Sequence, residues 1–97
     1  MAEKLLLIHP EGKKGVSMDS ETYEVLRRAF LSCLRKRQQA AFPVLQLDVE
    51  AYLAKHKLAI TGKLQWNLFW VTLDLEAKKQ IGKNRSVSPI IYRITPP

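Results

Sequence analysis

The chain has one cysteine, two histidines and four glycines in 97 residues, and each shortage removes a class of chemistry. A single cysteine, Cys33, leaves no intramolecular disulfide, which fits a reducing compartment and makes the cytoplasm the expected location. Neither His9 nor His56 has a second histidine or a cysteine at metal-ligand spacing, so no metal site is expected. Gly12-Lys13-Lys14-Gly15 invites comparison with a phosphate loop, but its glycine spacing is wrong and no Lys-Ser/Thr follows. It reads as a basic loop, and no cofactor or small-molecule ligand is implied. Long apolar runs are missing too. Residues 5–8, Leu-Leu-Leu-Ile, are too few for a membrane span or a signal-peptide core. Asn84-Arg85-Ser86 spells a glycosylation sequon, which without a secretion signal is coincidence.

Acidic residues are also scarce. Nine face sixteen lysines and arginines, for a net charge of +7 and a pI near 9.8. That surplus suits an anionic partner such as DNA, and it also simply aids solubility. Hydrophobic content of 46% and charged content of 26% describe an ordinary globular chain, and the length fits one domain over residues 1–97. A chain this small buries only about two-thirds of its unfolded surface, so a second subunit would add useful burial.

Residues 5–8 read as a short strand and residues 9–15 as a loop broken by proline and glycine. A helix is expected over residues 20–38. Asp19 or Ser20 is its N-cap, Glu21 and Glu24 lie in its first turns, and Arg35, Lys36 and Arg37 near its end. Tyr23, Leu26, Ala29, Phe30, Cys33 and Leu34 form its apolar stripe. Residues 42–45 read as extended, because Pro43 biases Phe42 away from helix. A second helix follows over residues 47–56, with Val49, Tyr52 and Leu53 inward. Residues 57–62 form a turn, with Thr61 or Gly62 capping a third helix over residues 63–80. Gly82 suits a helix end or the start of a strand. Residues 81–97 read as a β-hairpin, with Ile90 to Ile94 as its β-branched and aromatic strand. The fold class is α+β. Two helices meeting at a short turn, followed by a hairpin wing, match a winged helix-turn-helix with an added N-terminal strand.

The third helix is apolar on two sides. At 100° per residue, Trp66, Phe69, Trp70, Leu73 and Ala77 share one stripe, while Leu64, Leu68, Val71 and Leu75 form another. A helix of this kind is usually buried on both sides. The tryptophan stripe is expected to hold the domain together. The Leu64, Leu68, Val71 and Leu75 stripe is expected to be core or a partner interface, most simply that of a two-fold homodimer.

Trp66, the run Val71-Thr72-Leu73-Asp74-Leu75-Glu76-Ala77 and Ile81 resemble the signature of a family of small uncharacterised bacterial proteins. That family is known as a domain of unknown function. Its pattern is a tryptophan followed by V-K-L-D-L-E-A-R-G-x-I. This chain departs from it at Thr72 and at Lys78-Lys79. The opening His9-Pro10 and Gly12-Lys13, with Tyr23, are similar as well. The resemblance implies a winged-helix-like fold and no activity.

The chemistry available is thin. Cys33 sits on an apolar stripe, where cysteine acts as a small hydrophobe. His56 at a helix end is explained by the dipole. Asp74 and Glu76 point about 160° apart on a helix, so they cannot act together, and each is expected to pair with a cation, Asp74 with Lys78. No catalytic residue is expected. If the chain reads DNA, Lys63, Gln65 and Asn67 on the third helix and Lys83 and Arg85 in the wing are the contacts. Four aliphatics facing a groove would waste roughly 1.5–3 kcal/mol of burial each. The favoured reading is therefore a non-catalytic, self-associating interaction module, with a DNA-binding winged helix as the alternative.

Overall fold

A computed structural model describes residues 4–7, 9, 11–12, 15–60, 62–84 and 90–94. In chain order the elements are β1 (Lys4–Leu6), β2 (Ser17–Asp19), α1 (Ser20–Arg37), β3 (Gln39–Ala41), α2 (Phe42–Lys55), α3 (Leu64–Ala77), β4 (Ile81–Asn84) and β5 (Ile91–Ile94). The fold is α+β, with three helices and two small antiparallel sheets. β1 and β2 form the first sheet, and the second has the order β3-β5-β4.

α1 is the central element and touches α2, α3 and strands of both sheets. Its apolar stripe is as expected: Leu26, Ala29, Phe30 and Leu34 are fully buried, and Cys33 is nearly so. Across from it lie Leu45 and Val49 of α2 and Leu68, Val71 and Leu75 of α3. Tyr92 of β5 meets Phe30 edge-on at 5.9 Å between ring centroids. Asp19 is the N-cap of α1 by position, but its side chain makes no capping bond and instead accepts one from Thr22 Oγ1 at 3.3 Å.

Two expectations about element boundaries are corrected. Residues 42–45 are not extended. α2 begins at Phe42 with Pro43 in its first turn, where a missing N–H leaves no bond unmade. Its extended neighbour is β3, which pairs with β5 through Gln39–Arg93, Ala40–Tyr92 and Ala41–Ile91. The second correction concerns the start of α3. Its N-cap is Lys63, not Gly62, and Thr61 lies outside the described residues. The Lys63 carbonyl accepts from both the backbone and the side-chain amide of Asn67, at 3.1 and 2.9 Å.

The helices end on left-handed residues that are not glycine: Gln38, Lys57 and Lys79, with φ of 67°, 55° and 61°. After α3, Lys79 N–H donates to Glu76 O at 3.0 Å and Gln80 N–H to Leu75 O at 2.9 Å, the paired bonds of a Schellman ending. Gly82 is not this ending; it lies within β4. A side chain in the left-handed region costs roughly 1–2 kcal/mol, which glycine avoids. Lys79→Gly is therefore expected to stabilise the fold by about 1 kcal/mol, read from the urea midpoint. A loss of stability would mean that Lys79 makes a contact worth more than the strain.

Candidate interaction surface on the third helix

The two apolar stripes of α3 are resolved by burial. Leu68, Val71 and Leu75 are 0% exposed, and Leu64 packs half-buried against the same core. Of the two roles expected for this stripe, core or partner interface, the structure gives core: it packs into the same cluster as the α1 stripe. The tryptophan stripe faces outward instead. Trp66 is 49% and Phe69 45% exposed, Trp70 and Ala77 are half-buried, and of that stripe only Leu73 is buried.

The outward rings are not isolated. Phe69 meets Phe42 edge-on at 6.3 Å, Phe42 leans on Tyr92 at 6.2 Å, and Tyr92 reaches Phe30 in the core. A second run joins His9 to Trp70 at 6.1 Å and Trp70 to Trp66 at 6.3 Å. The surface is thus an aromatic face braced from below. Phe42 is the member that the sequence hides, because Phe-Pro read as an extended pair.

What fixes this orientation is the polar content of the inward side. Asp74 is 1% exposed. Its Oδ2 accepts from Tyr23 Oη at 2.5 Å and pairs with Lys78 Nζ at 2.8 Å, which also donates to Tyr23 Oη at 3.2 Å. Burial and then the bond to Asp74 push the Tyr23 phenol up. Partial burial would push Lys78 down, but its bonds to Asp74 and Tyr23 outweigh that and hold it up. Thr72 Oγ1 donates to Phe69 O at 2.6 Å. Glu76 points the other way, to Lys83 Nζ at 2.7 Å. Asp74 and Glu76 therefore fasten α3 to α1 and β4 respectively.

The residues named for DNA are scattered. Lys63 and Gln65 are exposed. Asn67 is 5% exposed and turned back onto Lys63, and the Lys83 side chain is 8% exposed against Glu76. Arg85 lies outside the described residues. The α1–α2 junction brings Cys33, His56 and Asp48 to one cleft, a grouping that the sequence did not suggest. It does not assemble a nucleophile: burial, then the nearby Asp48 charge, push the Cys33 thiol up and keep it protonated. Asp48 is engaged by Arg37, whose Nε and Nη2 grip both carboxylate oxygens and hold that carboxyl below its usual value. Among the described residues, no three His, Cys, Asp or Glu side chains are grouped to hold a metal, and no helix is long and apolar enough to cross a membrane.

Residues 4–90 match the Family of unknown function (DUF6958). No curated protein and no solved structure matches the chain.

Proposed function

We propose that this protein, which belongs to the DUF6958 family and takes no activity from it, is a non-catalytic, winged-helix-like cytoplasmic module that pairs with a second copy of itself through the outward face of α3. The order helix, strand, helix, helix, hairpin, with β3 on the open edge of β5, supports the winged-helix relation. The single observation behind self-association is the exposure of Trp66 and Phe69 at about half their surface. Aromatic anchors of this kind carry most of the binding energy in protein interfaces.

Charge selects the partner. Two chains of +7 repel each other unless they meet where neither presents a cation. From Gln65 through Trp66, Phe69 and Trp70 to Ala77, the outward face carries no lysine or arginine, and its carboxylate, Glu76, is bound to Lys83. A two-fold axis sets such a face against itself. A nucleic acid asks for the opposite, cations along the helix that enters the groove. Of the α3 and wing contacts named for DNA, only Lys63 and Gln65 are described and exposed.

The test is sedimentation equilibrium on the natural chain and on Trp66→Ala/Phe69→Ala. The natural chain is expected to dimerise in the micromolar range. The variant should stay folded by circular dichroism and associate at least about thirtyfold more weakly, as the loss of one hot spot of about 2 kcal/mol requires. A natural chain that stays monomeric overturns the reading. If that monomer also binds random duplex DNA with a steep negative salt slope, the DNA reading replaces it.

A further inference from the structure

The geometry points to a ligand site remote from the α3 face: the cleft between α1 and α2 binds a small, ring-bearing polyphosphate of nucleotide size. The cleft is about 550 Å³ and is lined from α1 by Ser32, Lys36 and Arg37, and from α2 by Tyr52, Lys55 and His56. That volume falls within the range of small-molecule sites, roughly 300–1,000 Å³. Lys36 and Ser32 are one turn apart on α1. Tyr52, Lys55 and His56 follow at i, i+3 and i+4 on α2, so both helices present these side chains on the facing sides.

Its charge is unbalanced. The one lining carboxylate, Asp48, has both oxygens taken by Arg37. Lys36 and Lys55 are exposed and make no ion pair among the described residues. Two unneutralised ammonium groups on opposite walls of a cleft suit an anion with several charges, more than a single carboxylate.

The ring follows from the cleft's other end. The rings of Tyr52 and His56 lie 4.3 Å apart between centroids at 42°, and both also line an adjoining cleft of about 510 Å³ that contains Val25 and Leu58. Two tilted, adjoining rings bordered by aliphatics offer an aromatic surface against which a flat ring can pack. The same adjoining cleft is lined by Glu21, Glu24 and Arg28, and the two carboxylates accept hydrogen bonds from amino or hydroxyl groups. The ligand therefore places its phosphates toward Lys36 and Lys55 and its ring toward Tyr52 and His56.

The experiment is a two-dimensional NMR titration of the uniformly labelled chain with ATP, inorganic triphosphate and adenosine as separate probes. ATP is expected to give saturable shifts centred on Lys36, Tyr52, Lys55 and His56, while triphosphate and adenosine bind more weakly. Lys36→Gln/Lys55→Gln, at exposed positions that leave the fold intact, should weaken ATP at least about tenfold, as losing two charge-assisted contacts requires. Trp66→Ala/Phe69→Ala should leave ATP binding unchanged, which separates this site from the α3 interface. The inference is overturned by shifts elsewhere, by no saturation at millimolar ATP, by a double-lysine variant that binds equally well, or by triphosphate binding as tightly as ATP.

Discussion

Leu68→Asp is expected to abolish folding, with no folded monomer left behind. Leu68 is 0% exposed in the middle of α3, among Leu75, Val71 and the α1 stripe. Truncating such a leucine to alanine costs about 2–5 kcal/mol. The aspartate adds a buried carboxylate with no cation to meet it, several kcal/mol more unless it takes up a proton. The total matches the whole stability of an ordinary domain, about 5–15 kcal/mol. Leu75→Asp should behave alike, whereas Leu68→Met keeps volume and apolarity and should cost less than about 1.5 kcal/mol. Circular dichroism and sedimentation on the three variants distinguish the outcomes. A helical, cooperatively melting monomer from Leu68→Asp would mean that this stripe faces out and that the tryptophan stripe is the core.

The core role expected of the tryptophan stripe thus falls to the stripe of Leu68, Val71 and Leu75. α1 was legible because its signals agree: acid early, base late, one apolar stripe and a polar remainder. α3 was legible as a helix and illegible as an orientation. Both of its stripes are apolar, and the larger side chains, Trp66 and Phe69, are the exposed ones. The deciding residues are the polar ones beside the smaller stripe. Asn67, Thr72 and Asp74 are each buried with a partner, and that stripe faces inward because α1 supplies Tyr23 fifty-one positions away. No local period reports such a contact. β3 was invisible for a similar reason: Gln39-Ala40-Ala41 has no strand pattern, and it is extended because β5 offers it an open edge. Pro43 misled because one residue type marks both a helix's first turn and an extended pair. The α3–aromatic surface and the α1–α2 cleft are products of packing, which brings Phe42 to Phe69 and Lys36 to the same cleft as Lys55.

Asp74→Ala is expected to be the most costly change at a polar residue, at about 2–4 kcal/mol. Removing one member of a buried ion pair typically costs about 3–5 kcal/mol because its partner is stranded. Here Lys78 is 45% exposed and regains some water, which lowers the figure. Tyr23, at 4% exposed, recovers little. Tyr23→Phe removes one donor and leaves the Lys78 pair, so about 1 kcal/mol is expected. The pair of substitutions should be strongly non-additive, since both act on Asp74 Oδ2. Alkali supplies an independent sign. Tyr23 and Lys78 are both raised above their ordinary values of 10.0 and 10.5. In the unfolded chain they lose their protons first, so their contribution is complete below about pH 10 and drains away as pH rises through the folded values. The natural chain should therefore lose stability above pH 10 more steeply than Asp74→Ala, and urea midpoints across that range measure the difference. Parallel curves would mean that Asp74 holds α1 to α3 by shape alone. Converging curves would mean that the charge on one buried carboxylate, through Tyr23 and Lys78, holds α3 to α1.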